Sequence, residues 1–181
     1  MFSRFIKIVF IFVFIAFGSS ICLSQKSVTE LKSAHATALE RFLSENKDYE
    51  FMSESILGPE YLKWVQEWLE GGKPYYAAGD FNNDRIEDFA VILSRKGKVE
   101  EGGGSDFPHR YDYPLAVVIF NGLRHGGFQQ PFVEAVKKPI ASFIRLPEGK
   151  QKGLFFGVFE TDDDWIFTSY GKGYKLKYIG L

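Results

Sequence analysis

SFIRL-PEGK-QKG-LFFGVF-ETDDD-WIFTSY-GKG-YKLKYI, residues 142–179, alternates short apolar runs with stretches rich in Gly, Pro and Asp. The breaks Pro147-Glu148-Gly149-Lys150, Thr161-Asp162-Asp163-Asp164 and Gly171-Lys172-Gly173 are too short for the crossover that parallel strands need. The runs therefore predict an antiparallel series. Working towards the N-terminus, Phe128–Val136, Leu115–Phe120, Phe89–Leu93 and Tyr75–Ala78 extend the same pattern. Before Gly72 the apolar spacing becomes three and four, which is helical. Val28, Leu31, Ala34, Ala38, Leu39, Phe42 and Leu43 form one face of a helix running to about Ser44, with Ser27 and Glu30 spaced as a capping box. A second helix begins at Pro59, stops at Gly71-Gly72, and carries the stripe Tyr61, Trp64, Val65, Trp68 and Leu69. The expected fold is α+β, with two N-terminal helices packed on a largely antiparallel β-sheet meander.

The first residues read as an address. Arg4 and Lys7 precede an unbroken apolar run, Ile8 to Phe17, followed by Gly18, Ser19 and Ser20. That order is a secretory signal peptide over residues 1–24, leaving one globular domain over 25–181. The uncharged stretch from Ile8 to Leu23 is shorter than the roughly 18–20 residues that span a bilayer, so the mature chain is expected to have no transmembrane span. The 22 Lys and Arg against 23 Asp and Glu give a net charge of −1, too balanced for a nucleic-acid footprint. Cys22, the single cysteine, rules out a disulfide framework and a Cys-based zinc site. Retained and acylated, it would instead make the chain a lipid-anchored envelope protein.

One loop carries chemistry. In Gly79-Asp80-Phe81-Asn82-Asn83-Asp84-Arg85-Ile86-Glu87-Asp88, positions 1, 3, 5 and 9 are Asp80, Asn82, Asp84 and Asp88. Calcium takes six to eight oxygens at flexible geometry, and alternate residues of a tight loop aim their oxygens inward. The Ile86 carbonyl at position 7 can add one more, and Asp88 can close the shell. Position 12 is Val91 where an EF-hand has Glu, and the flanks read as strands. The plainer alternative is an Asp/Asn-rich hairpin whose side chains bond their own backbone.

The stretch from Gly79 through Asp84 and on to Asp88-Phe89-Ala90-Val91 resembles the calcium loop of FG-GAP/VCBS-type repeats. The resemblance implies one structural calcium ion held by Asp80, Asn82, Asp84 and Asp88, between two strands. Those repeats build propeller blades in series. A single copy in a chain of this length does not imply a propeller. At position 6, where the repeats carry Gly and the turn favours φ > 0, this chain has Arg85.

A second candidate is the long loop from Arg95 to Tyr113, where Asp106, His109, Arg110, Tyr111 and Asp112 mix titratable and aromatic groups beside Gly102-Gly103-Gly104. His109, oriented by Asp106 or Asp112, would suit a secreted hydrolase; otherwise the loop clasps a ligand or is simply solvated. Glu160 and Asp162 to Asp164 read as a solvated turn, His125 as a turn residue and His35 as a packed helix-edge residue. No H-E-x-x-H, G-x-S-x-G, Walker or dinucleotide motif occurs. The expectation is thus a secreted, periplasmic or cell-surface domain that binds a protein or glycan without catalysis, stabilised by one calcium ion.

Overall fold

The computed structural model describes residues 31–52, 59–70, 72–96, 100–101, 111–139, 141–149, 151–159 and 161–180. The expected signal segment with Cys22, the expected capping box Ser27–Glu30, Gly71, and Asp106, His109, Arg110 and Glu160 lie outside these residues. The order is α1 (Ser33–Glu45), β1 (Tyr49–Phe51), α2 (Pro59–Trp68), β2 (Tyr76–Gly79), β3 (Asp88–Arg95) and β4 (Glu100–Glu101), then β5 (Tyr111–Phe120), β6 (Phe132–Pro139), β7 (Ser142–Arg145), β8 (Leu154–Val158), β9 (Asp164–Tyr170) and β10 (Gly173–Tyr178).

Every strand pair is antiparallel. Strands β7 to β10 form a four-stranded sheet in sequence order, as their short turns require. The other six strands form a separate sheet. Along β3, β1 pairs with Leu93–Arg95 and β2 with Asp88–Val91, so both share one edge while β5 takes the other. β6 then closes the far side of β5.

Period-two alternation divides the core. Ala90 and Ile92 of β3 and Leu115, Val117 and Ile119 of β5 pack with Ile144, Leu154, Phe156 and Phe167 of the four-stranded sheet. The intervening Phe89, Val91, Leu93, Ala116, Val118 and Phe120 pack with Leu39 and Phe42 of α1. On the outer side of the four-stranded sheet, Phe143, Phe155 and Phe159 pack with Val65 of α2. The layers therefore run α1, six-stranded sheet, four-stranded sheet, α2.

This overturns the expected α+β fold of two N-terminal helices on one meander. The described residues are mostly antiparallel sheet, with 46% strand against 16% helix, split into two sheets that face one another. An apolar stripe shows that a helix buries one side; it does not say against which surface. The unbroken runs Phe89–Leu93 and Leu115–Phe120 carried the missing information, because a strand with apolar residues on both faces must be covered twice.

The helices also depart in detail. α1 starts at Ser33 after an N-cap residue, Lys32, that makes no side-chain capping bond. α2 ends three residues before the predicted glycine pair, and the left-handed residue at its stop is Glu70, φ 52°. Strands β1 and β4 were not anticipated, each being only two or three residues long.

A candidate cation loop and a buried histidine

The loop between β2 and β3 is built from its own side chains. Asp80 Oδ1 and Asn82 Oδ1 both accept from the Asp84 N–H, at 3.0 and 2.9 Å. Asp80 Oδ2 accepts from the Arg85 N–H at 2.9 Å, and Asp84 Oδ1 from the Ile86 N–H at 2.9 Å. The Asn82 amide donates to Asp84 Oδ2 at 3.1 Å. These are the backbone-directed bonds expected of Asp and Asn in a tight turn. Two residues adopt left-handed backbone: Asn83 at φ 64° and Arg85 at φ 69°. Asn tolerates that region; Arg85 occupies the position where the turn favours Gly, at a cost of roughly 1–2 kcal/mol.

Asp88 does something different. It is completely buried. Its Oδ2 accepts from the N–H groups of Phe81 and Asn82 at 2.9 and 3.3 Å, and its Oδ1 from the Gly122 N–H at 2.9 Å. Burial pushes its carboxyl above the usual aspartate range, against the pull of those three bonds, and the charge of Asp84 adds to the rise. With two lone pairs per oxygen, three N–H groups leave Asp88 one free acceptor site, on Oδ1. It therefore ties the loop to the β5–β6 connection and does not supply the two free oxygens that a bidentate closing ligand needs.

The loop is walled in from other parts of the chain. Lys152 bonds Asn83 Oδ1, and a side chain on Gly122 would meet the Glu87 carbonyl. The Tyr174 hydroxyl of β10 donates to Asn121 Oδ1 at 2.5 Å. Burial pushes that hydroxyl far up, and the carboxylates of Asp88, Asp84 and Asp80 add to the shift. Asn121, Gly122 and Tyr174 were missed from sequence. They lie more than 30 residues from the loop, where no spacing rule connects them.

Glu87, the loop's last residue before β3, reaches a second polar cluster. Lys32 Nζ donates to Glu87 Oε2 at 2.5 Å, and His35 Nε2 lies 3.3 Å from Glu87 Oε1. His35 Nδ1 is 2.8 Å from the Tyr76 hydroxyl. The imidazole stacks on Phe89 at 4.3 Å between centroids, with Phe128 edge-on at 5.4 Å. His35 is buried, as its helix-edge reading implied, and burial pushes its pKa down; Glu87 opposes that and Lys32 reinforces it. In the neutral ring, Nε2–H faces a carboxylate that can only accept, so Nδ1 accepts from Tyr76.

Because the folded value lies below the unfolded 6.5, the unfolded chain takes up this proton first as pH falls. The stability is complete above pH 6.5 and is lost below it, through the lowered folded value. Urea midpoints measured from pH 7.5 to 5 should fall more steeply for the wild type than for His35→Phe, which keeps the stack and cannot titrate. Parallel curves would exclude His35 as the source.

Tyr111 and Asp112 open β5, with their side chains outside the described set, as are Asp106, His109 and Arg110. His125 is exposed in the turn after Gly122. Asp163 faces Lys138 at 3.4 Å, while Asp164, its carboxyl raised by burial, feels Arg145. Among the described residues, no three His, Cys, Asp or Glu side chains form a metal-binding group, and no helix is long and apolar enough to cross a membrane. No protein-family model matches the chain, and no curated protein or solved structure is significantly similar to it.

Proposed function

We propose that this chain is a non-enzymatic binding domain, exported from the cytoplasm, whose β2–β3 loop takes one structural calcium ion. The supporting observation is the meeting of Asp80 Oδ1 and Asn82 Oδ1 at a single N–H, that of Asp84. The loop thereby holds two candidate ligand oxygens around one point, beside the Asp84 carboxylate. Each of these oxygens keeps a lone pair for a cation. Asp80, Asn82, Asp84 and the Ile86 carbonyl would hold the ion, with water completing the six to eight oxygens calcium prefers. Asp88 would contribute at most one oxygen. The likeness to FG-GAP/VCBS loops supports the same ligand positions, and the basic-then-apolar start supports export.

The test is a thermal melt of the purified chain in EDTA and in about 1 mM calcium. At a Kd of about 10 μM the ion would add about 2.7 kcal/mol, a rise in Tm of about 5–10 °C for a chain of this size. Asp84→Ala should abolish the rise. Arg85→Gly should raise Tm even in EDTA, by relieving roughly 1–2 kcal/mol of backbone strain, and should tighten calcium binding by removing a cation. No calcium-dependent shift in either the wild type or Arg85→Gly would refute the proposal.

A further inference from the structure

A groove of about 580 Å³ lies between the C-terminal end of α2 and the place where β2 meets β7. Ala77 and Ile144 contribute apolar surface, and Trp68 and Leu146, each 48% exposed, give it two large open side chains. Its volume falls within the range of small-molecule sites. The charged groups lining it are Glu70, Lys73, Arg145 and Glu148.

Arg145 is unusually placed among them. Its guanidinium centre lies 4.6 Å from the Phe155 ring centroid and 5.4 Å from that of Trp68. Stacking occupies the flat faces of a guanidinium and leaves its in-plane N–H groups for hydrogen bonds. Among the described residues only one of those bonds is made: Nη1 meets Glu148 Oε1 at 2.6 Å, while Nε is buried without a partner. Glu148 sits three residues on, in an exposed turn, with its side chain 84% exposed. Such a pair contributes little, so this carboxylate is cheaply displaced. A guanidinium also binds a carboxylate better through two nitrogens than through one. With Glu148 moved aside, the charged side chains that line the groove are Arg145, Lys73 and Glu70, a net positive set, with the Asp164 carboxylate also within electrostatic reach of Arg145.

We propose that this groove binds a small molecule bearing a carboxylate on a flat apolar body, the carboxylate replacing Glu148 on Arg145 and the body lying against Trp68. Glu148 is then an internal placeholder that shows the chemistry of the ligand. The inference rests on the reading of the chain as a binding domain and identifies where binding occurs.

The probe is 2-naphthoate, titrated calorimetrically into the full chain with and without calcium, against 2-naphthamide as its uncharged counterpart. The expected result is saturable naphthoate binding, with the amide at least tenfold weaker. Glu148→Gln should tighten naphthoate several-fold and leave the amide unchanged. Trp68→Ala should weaken naphthoate at least tenfold. A gain of affinity in Glu148→Gln cannot come from misfolding, so that variant guards the test. Equal affinities for acid and amide would reduce the groove to an apolar sink and overturn the proposal, as would no saturable binding in both the wild type and Glu148→Gln. Because the calcium melt reads a different part of the molecule, either proposal can fail while the other stands.

Discussion

Asp88→Ala is expected to destabilise the chain by about 3–5 kcal/mol, the largest effect of any single change in the loop. The carboxylate accepts from Phe81, Asn82 and Gly122, and alanine would leave all three donors without that partner. An unsatisfied buried donor costs about 1–3 kcal/mol, and water cannot readily substitute where Asp88 is wholly buried. For a chain of this size the loss corresponds to about 10 °C in Tm. The measurement belongs in EDTA, because the argument concerns hydrogen bonds and not a bound ion. Asp88→Asn should fall between, since an amide offers one accepting oxygen and turns an N–H₂ towards a donor. If Asp88→Ala melted with the wild type in EDTA and differed only in calcium, Asp88 would be a ligand and not a clamp.

Gly122→Ala should cost about 3 kcal/mol. A Cβ there would lie 2.3 Å from the Glu87 carbonyl oxygen and 2.8 Å from Ile86 Cγ2. The first of these is backbone, which cannot rotate aside. Overpacking of this kind typically costs about 1–3 kcal/mol. Here relief also requires moving the same backbone that donates its N–H to Asp88, which adds a weakened buried bond. Gly126→Ala provides the control: its Cβ would have no neighbour within 4 Å, and only its φ of 88° penalises a side chain. Gly122 itself is not left-handed, so a wild-type-like melt of Gly122→Ala would mean that the Glu87 backbone yields and that its close approach costs little. Amide exchange at Phe81 and Asn82 should quicken in Gly122→Ala, since the two sides of the clamp share one carboxylate.

How far the site could be read in advance depended on sequence distance. Asp80, Asn82 and Asp84 lie within five residues, and their turn chemistry follows from side chains too short to reach anything but nearby backbone. Even the left-handed backbone at Arg85 was legible, because the turn demands φ > 0 at that position whichever residue occupies it. The inward turn of Asp88 was not. It depends on Gly122, which the pairing of β3 with β5 brings alongside. The same limit hid the Trp68–Arg145–Phe155 stack, whose members come from α2, β7 and β8.

The sequence alone determined most of the strand runs, the antiparallel pairing of the last four, the second helix and the turn chemistry of one Asp/Asn-rich loop. All of these follow from period, turn length and contacts between near neighbours. Only the tertiary structure decided that the strands divide into two facing sheets and that the helices cover opposite outer sides. It also decided that one of the loop's carboxylates serves as a buried clamp. Burial has no direction along a chain. An apolar residue must leave water, but the surface that receives it is chosen by whichever distant segments pack beside it.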